Sequence, residues 1–244
     1  MTRNDDGREG AAARLDEGAS EPRGELNRYT ATLGPRALKT RRRLIDSATE
    51  LFREKGYVAT TVSDIARSAG VSLATFYVYF AERSDVVIAL LDEVVGDVMR
   101  QGVGKWDPRS GRAGLSRVVT SYVESFARHA EFFAIRESVI HAEERMLEQY
   151  VQYNRQFQET FARYLEEGVA LGLVRSDLDP YGMARAMTLM MERYCYDVFV
   201  LGSSGETPSV SDTAHLLATL WADAIDLAES TVRPRAAVAG QSLK

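Results

Sequence analysis

Between Thr61 and Ser72 the sequence sets two helix-start signals and a glycine within twelve positions. The run TVSD at Thr61 has the form of a capping box, in which a Thr and an Asp satisfy backbone donors reciprocally. Gly70 supplies a tight turn, and Ser72 is a second N-cap. Punctuation this close permits only short helices, one over 61–69 and one over 73–80. Upstream, Leu38, Leu44, Ile45, Ala48, Leu51 and Phe52 recur at helical spacings until Gly56 breaks the pattern, so a longer helix over 38–55 precedes them. Three helices in succession, with a Gly-containing turn between the second and third, describe a helix-turn-helix, whose third helix enters a DNA major groove. Ile65, Ala66 and Ala69 offer an apolar face, and Phe76 and Phe80 can pack against Leu51 and Phe52. Leu73, Ala74, Thr75, Tyr77 and Tyr79 are left for the outward face or its edges. A generic three-helix module has the same apolar pattern, so spacing alone leaves both readings open.

The remainder is helical throughout. Ser84 is expected to cap a helix over 85–101, and Gly102, Gly104, Pro108, Ser110, Gly111 and Gly114 mark a loop. Further helices are expected over 115–130, 132–141, 142–171, 180–201 and 210–230, separated by Gly172, Asp179, Pro180 and the stretch from Gly202 to Pro208. The expected architecture is therefore all-α, with about nine helices. The segment 1–34 is too poor in large apolar residues to offset chain entropy and is expected to be disordered. The expected division is a helix-turn-helix domain over 35–84, a larger helical domain over 85–231, and a frayed tail over 232–244.

Charge is distributed unevenly. The whole 244-residue chain carries a net −5, yet residues 35–91 hold nine basic and six acidic side chains. Five of those nine lie at Arg36, Lys39, Arg41, Arg42 and Arg43. A mildly basic segment joined to an acidic remainder suggests that only the first meets a polyanion. Cations at the start of a helix are electrostatically unfavourable unless an adjacent phosphate backbone or solvent offsets them. No apolar run approaches the ~18–20 residues needed to span a bilayer, and residues 1–24 lack the apolar centre of a secretory signal. A single cysteine, Cys195, fits a reducing cytoplasm.

The runs TRRRLIDSATELF from Thr40, KGY from Lys55, TTVSDIA from Thr60, AGVS from Ala69 and TFYVYF from Thr75 closely resemble the N-terminal domain of the TetR family of bacterial transcription regulators. The likeness covers 38–91 almost without a gap. It implies a homodimeric DNA-binding protein, usually a repressor of a palindromic operator, whose helical C-terminal domain binds a small-molecule inducer. Carried over by residue, Thr40 and Thr61 would touch phosphates, with Arg41 and Arg42 beside them. Ser72, Leu73 and Thr75 would lie at base edges, Tyr77 and Tyr79 would reach the backbone, and Arg83 would keep a cation at the fourth helix. The third helix has no Arg, Lys, Asn or Gln, so it lacks the bidentate base readers worth about 1–3 kcal/mol each. Specificity would then come from Thr75, from apolar contacts to thymine methyls and from DNA shape.

The C-terminal half carries Tyr150, Tyr153, Phe157, Phe161 and Tyr164 on one face of a long helix, and Met183, Met187, Met190 and Met191 on the next. An ordinary core explains any one of them, whereas together they also describe an apolar pocket. Glu124 to Phe126, the run MMER from Met190 and Trp221 are further similar to a mycobacterial branch of the family with a long apolar tunnel. That likeness implies a ligand lined by Tyr122, Phe126, Tyr150, Asn154, Phe157, Phe161, Thr188 and Met191. The branch's two ligand-binding asparagines fall at Thr188 and Met191 here, so the polar anchor is weaker or elsewhere. Asn154 and Thr188 are the neutral polar candidates, and the effector is expected to be hydrophobic.

Catalysis finds little support. His129, His141 and His215 lack zinc spacing, and the pairing of His141 with Glu144 on one helix face is a weak signal. Cys195, between two tyrosines, reads as a buried structural thiol, and no cofactor or metal is expected. Rival readings are a helical hydrophobic-ligand carrier or enzyme using the helix-turn-helix as scaffold, and a TetR-type activator.

Overall fold

The computed structural model describes residues 33–101, 106–203, 205 and 208–229. The segments expected to be disordered or frayed, and the glycines of the connection at 102–104, lie mostly or wholly outside these. Among the described residues there are nine α-helices and no strands: α1 (Pro35–Lys55), α2 (Val62–Ser68), α3 (Leu73–Tyr79), α4 (Arg83–Gln101), α5 (Gly111–Arg128), α6 (Ala130–Ile140), α7 (Glu144–Ala170), α8 (Pro180–Tyr196) and α9 (Val210–Ala224). By packing, the chain divides after Lys39. The described part of the first unit forms the opening turns of α1, where the Leu38 N–H donates to the Gly34 carbonyl at 3.0 Å. α1 starts three residues earlier than the apolar pattern indicates, because Pro35 suits the first helical position. Everything below concerns Thr40 onward.

Leu44, Ile45, Ala48 and Phe52 of α1, Ile65 and Ala66 of α2, and Phe76 of α3 are buried. Leu51, expected under the third helix, is only half-buried. Tyr57 is buried in this core instead, its ring 5.1 Å from Phe52. The capping box forms as expected: the Asp64 N–H donates to Thr61 Oγ1 at 3.1 Å, and the Thr61 N–H donates to Asp64 Oδ2 at 3.1 Å. Gly70 then adopts φ +63°, a left-handed conformation that α2 needs in order to stop and turn into α3. A Cβ there would also stand 3.0 Å from the Arg43 guanidinium, which donates to the Ala69 carbonyl at the C-terminus of α2.

The start of α4 departs from the expected pattern. Ser84 is buried inside the helix, and Asp85 reaches back to accept from the Ala81 and Glu82 N–H groups at 2.8 and 3.1 Å. A carboxylate spans the turn that a serine hydroxyl is too short to close. Arg145 of α7 then donates to the same Asp85 carboxylate at 2.6 Å.

In the remainder, α9 packs along α5 and α8 along α7. Gly111 and Gly114, expected in a loop, belong to α5 instead. A Cβ on Gly114 would meet Ser110 Oγ at 1.6 Å, so the glycine answers to close packing and not to a turn. α8 ends at Tyr196 and continues as one wide π-type turn, Asp197–Leu201, up to Gly202. α9 stops at Ala224, short of the expected 230, because Asp226 at φ +49° reverses the chain. The strand-like return is pinned by the Ala228 N–H on the Leu173 carbonyl at 2.9 Å and the Arg175 N–H on the Ile225 carbonyl at 3.1 Å. Trp106 stacks on Phe161 at 5.2 Å, and Trp221 meets the same ring edge-on at 5.2 Å, which makes Phe161 the centre of an aromatic core.

Gly70→Ala is expected to destabilise the protein by about 1–2 kcal/mol, since an L side chain is strained at this φ. Thermal denaturation measures it, and an unchanged midpoint would show that the turn tolerates a Cβ.

Candidate functional site

α3 is seven residues long and is held at its N-terminus by Ser72, whose Oγ accepts from the Thr75 N–H at 3.1 Å. The Ser72 and Thr75 hydroxyls also pair at 2.8 Å. Phe76 and Phe80 are buried beneath the helix with ring centroids 5.7 Å apart. Ser72, Leu73, Tyr77 and Val78 are exposed on it, and Thr75 and Tyr79 are half-buried. Five of the expected DNA-contacting residues, Ser72, Leu73, Thr75, Tyr77 and Tyr79, therefore share this one short element. Val78, 60% exposed, is an apolar group on the same helix that the sequence reading passed over. Thr61 is exposed at the N-cap of α2. Next to it Lys55 and Thr61 hold the Asp64 carboxyl well below the usual carboxylate range, Lys55 donating at 2.7 Å.

The basic residues of α1 are placed differently from the expectation. None of Thr40 to Arg43 stands at a helix start, because α1 begins at Pro35. Thr40 is half-buried in the second turn, where no free helix N-terminus lies beside it. Arg41 is largely buried, its side chain 11% exposed and its guanidinium 5.3 Å over the Phe80 ring, with Glu93 of α4 at 3.9 Å. Arg42 is exposed and is bonded to Asp46 at 2.8 Å and to Glu93 at 2.9 Å. Tertiary structure supplies these arginines with acidic partners.

Arg83, carried over as a DNA-binding residue that keeps a cation at the start of the fourth helix, does stand in the first turn of α4 and is engaged inside the protein. Its guanidinium donates to the carbonyls of Tyr57, Val58 and Thr60 at 3.0, 3.2 and 2.8 Å and lies 4.2 Å over the Tyr57 ring. The loop carbonyls between α1 and α2 have no helical partner, and a planar multidentate donor satisfies several at once. Glu143, just before α7, accepts from the Tyr57 hydroxyl at 2.9 Å and lies 3.5 Å from Arg83. Burial, reinforced by Glu143, pushes the Tyr57 phenol above its ordinary value.

Helices α4 to α8 enclose a cavity of about 60 Å³. Tyr122, Tyr150, Asn154, Phe157, Thr188 and Met191 line it. Phe126 and Phe161, expected with them, do not. Phe126 stacks at 3.8 Å behind Phe133, one layer from the wall, and Phe161 is committed to the tryptophan cluster. The structure adds Leu91, Val94 and Val95 of α4, Phe133 and Arg136 of α6, and Tyr153 and Glu192. The slot is narrower than the roughly 300–1,000 Å³ of drug-sized sites, so a ligand of that size has to push its walls apart.

A buried ion pair closes one side of the slot. Arg136 and Glu192 have side chains 6% and 11% exposed and approach to 2.6 Å. The Tyr150 hydroxyl donates to Glu192 Oε2 at 3.2 Å. The guanidinium lies 5.1 Å over Phe133 and 4.9 Å over Tyr150. Arg136 Nε and Glu192 Oε1 are buried without a hydrogen-bond partner. The sequence reading missed this pair, although Arg136 falls at helical spacing with Phe132, Phe133 and Ile140 on an apolar face. Desolvation raises the Tyr122 phenol well above its ordinary value, consistent with a dry slot.

Chemistry of other kinds has few footholds among the described residues. His141 ends α6 while Glu144 begins α7, so the two do not share one helix as expected; His141 lies 3.8 Å from Glu137 instead. No group of three or more His, Cys, Asp or Glu side chains is arranged to hold a metal. Cys195 is fully buried, and burial pushes its thiol up to about 12. Among the described residues no helix is long and apolar enough to cross a membrane.

Two family models match the chain: bacterial regulatory proteins of the tetR family over residues 44–90, and the tetracyclin repressor-like C-terminal domain over residues 108–195. The chain is 34% identical to the HTH-type transcriptional repressor KstR2 of Rhodococcus jostii over 146 residues, covering 57% of this chain and 70% of the relative. It is 25% identical to the HTH-type transcriptional regulator EthR of Mycobacterium tuberculosis over 187 residues, covering 75% and 85%. Its fold is similar to that of a TetR-family regulator from Syntrophomonas wolfei, with a TM-score of 0.64 at 18% identity over 75% of this chain and 93% of that one. The fatty acid degradation regulator FadR of Bacillus halodurans matches with a TM-score of 0.62 at 20% identity, covering 78% and 95%. With an exposed two-turn helix set on a helix-turn-helix core and a walled slot among the helices behind it, the chain belongs to the TetR family of helix-turn-helix transcription regulators.

Proposed function

We propose that the protein is a cytoplasmic homodimeric repressor that leaves a palindromic operator when a hydrophobic effector enters the slot. The observation that carries this reading is that α4 serves both ends. Its first turn holds the helix-turn-helix through Arg83, and Leu91, Val94 and Val95 further along it form one wall of the slot. A ligand that widens the slot presses on α4 and moves the unit attached to its start. On this reading residues 35–84 act as the reading head and 85–231 as the effector and pairing domain, with no catalytic step. The coupling is thermodynamic: the effector has to bind the DNA-free form more tightly, by the same free energy that it removes from DNA binding. A ligand held equally by both forms induces nothing.

Pairing of two copies rests on the outward faces of α8 and α9, where Leu189, Met190, Leu216 and Leu220 are 40–47% exposed while Leu217 and Trp221 face the core. Two reading helices then meet successive half-sites about 34–36 Å apart. On the DNA, Leu73, Thr75 and Ser72 face base edges, with Tyr77, Tyr79, Thr61 and Thr40 near the backbone. Arg42, exposed on α1, is placed to meet a phosphate once it leaves Glu93 and Asp46.

Fluorescence anisotropy with the DNA flanking the protein's own gene, across a salt series with competitor, tests the reading. Saturable, competitor-resistant binding that weakens with salt is expected, whereas a hydrophobic-ligand carrier would bind all DNA equally weakly or none. Thr75→Ala is expected to change operator preference, by about fivefold or more at one base position; an unchanged preference profile removes Thr75 from base reading. Glu93→Gln removes one of the two acidic partners of Arg42 and leaves it more available to phosphate. It should therefore tighten binding to all sequences and steepen the salt dependence by about one unit of log–log slope per half-site. An unchanged slope would mean that Arg42 does not meet DNA.

A further inference from the structure

We propose that the slot selects an uncharged hydrophobic molecule carrying one hydrogen-bond acceptor, such as a ketone, ester or amide carbonyl, and that Arg136 receives that acceptor. The proposal rests on the effector reading and specifies its ligand. Three features of the Arg136–Glu192 pair lead to it.

The charges of the pair already cancel, at 2.6 Å and nearly out of solvent. A ligand carboxylate placed beside it would leave one buried charge uncompensated, which is the costly arrangement for ion pairs in proteins. Arg136 is also not at liberty to exchange partners. Its guanidinium lies over both Phe133 and Tyr150, and Glu192 is further held by the Tyr150 hydroxyl. A ligand anion cannot draw the guanidinium away without giving up both ring contacts. Finally, Arg136 Nε and Glu192 Oε1 are both buried without a hydrogen-bond partner, and the donor of the two is held in place by the stacked guanidinium. A neutral carbonyl supplies the acceptor that this donor lacks and adds no charge.

The surroundings restrict the rest of the molecule. Leu91, Val94, Phe133, Phe157 and Met191 favour an apolar or aromatic body. The ion pair also forms a wall of a second, more open recess of about 230 Å³, shared with Glu137, Leu189, Arg193 and Tyr196. The acceptor therefore belongs where the dry slot gives way to the charged recess, with the apolar body inward.

Calorimetric titration with three probes of equal heavy-atom count tests this: benzylacetone (a ketone), isopentylbenzene (the hydrocarbon) and hydrocinnamate (the carboxylate). The intact protein is expected to bind benzylacetone about tenfold more tightly than either of the others, the gain of one buried hydrogen bond to a charged donor. Arg136→Lys keeps a cation for Glu192 but has no Nε, so benzylacetone should fall to the level of isopentylbenzene while isopentylbenzene itself is unchanged. Should that variant not fold, the paired change Arg136→Met with Glu192→Met removes both charges together and should give the same loss of ketone preference. Hydrocinnamate binding as tightly as the ketone, a ketone preference that survives in these variants, or no binding by any probe would each overturn the proposal. Release from operator DNA is read separately. Release without ketone preference defeats the ligand class and spares the effector reading, and ketone-selective binding without release does the reverse.

Discussion

The guanidinium of Arg83 is the joint on which the arrangement of this molecule depends. It takes the carbonyls of Tyr57, Val58 and Thr60 in one fork, lies on the Tyr57 ring and approaches Glu143. The loop between α1 and α2, the start of α4 and the start of α7 are thereby tied at one point. Asp85 adds a second tie, closing the turn before α4 and accepting from Arg145 of α7. Polar networks of this kind are satisfied together or not at all, so the three elements keep one mutual orientation. Because the head is fixed to α4, a displacement of α4 reaches α3.

α4 itself has two working faces. Leu91, Val94 and Val95 line the slot, while Glu93 turns toward Arg41 and Arg42 of α1. Asp92 accepts from the Tyr153 hydroxyl, and Tyr153 is itself a lining residue. Contacts to the slot wall and to the basic residues of α1 thus alternate within five consecutive positions of one helix. Helical geometry permits this, since neighbours in sequence are about 100° apart around the axis. Slot and head share one rigid element, and bistability needs only two positions of it.

Much of this was legible in the residues because it is locally encoded. The capping box at Thr61, the Ser72 cap and the glycine at position 70 act through partners a few positions away, and each formed as its sequence indicated. Six lining residues of the slot, Tyr122, Tyr150, Asn154, Phe157, Thr188 and Met191, are ones that the family resemblance implied. Phe126 and Phe161, implied by the same resemblance, pack behind Phe133 and against Trp106 instead, because likeness of sequence specifies a side of a helix and not a depth. Ser84 and Asp85 show a similar limit. Both residue types can cap, but here the bonds run backward to Ala81 and Glu82, and the longer carboxylate closes that turn while also receiving Arg145.

By itself the sequence determined the all-α class, the succession of three helices with a tight turn before the third, and the apolar character of the interior, since these follow from periodicity, caps and turns within a few residues of each other; the helix-turn-helix reading rested on the family resemblance. Tertiary structure alone decided the tasks of the arginines. Arg41 is buried against Phe80, Arg42 paired with Glu93, Arg83 bonded to loop carbonyls, and Arg136 paired with Glu192. An arginine's long side chain carries its charge several ångströms from its own backbone, to partners that in all four of these cases lie 23 to 56 positions away along the chain. Local pattern cannot name such a partner, because the pairing exists only once the helices have packed.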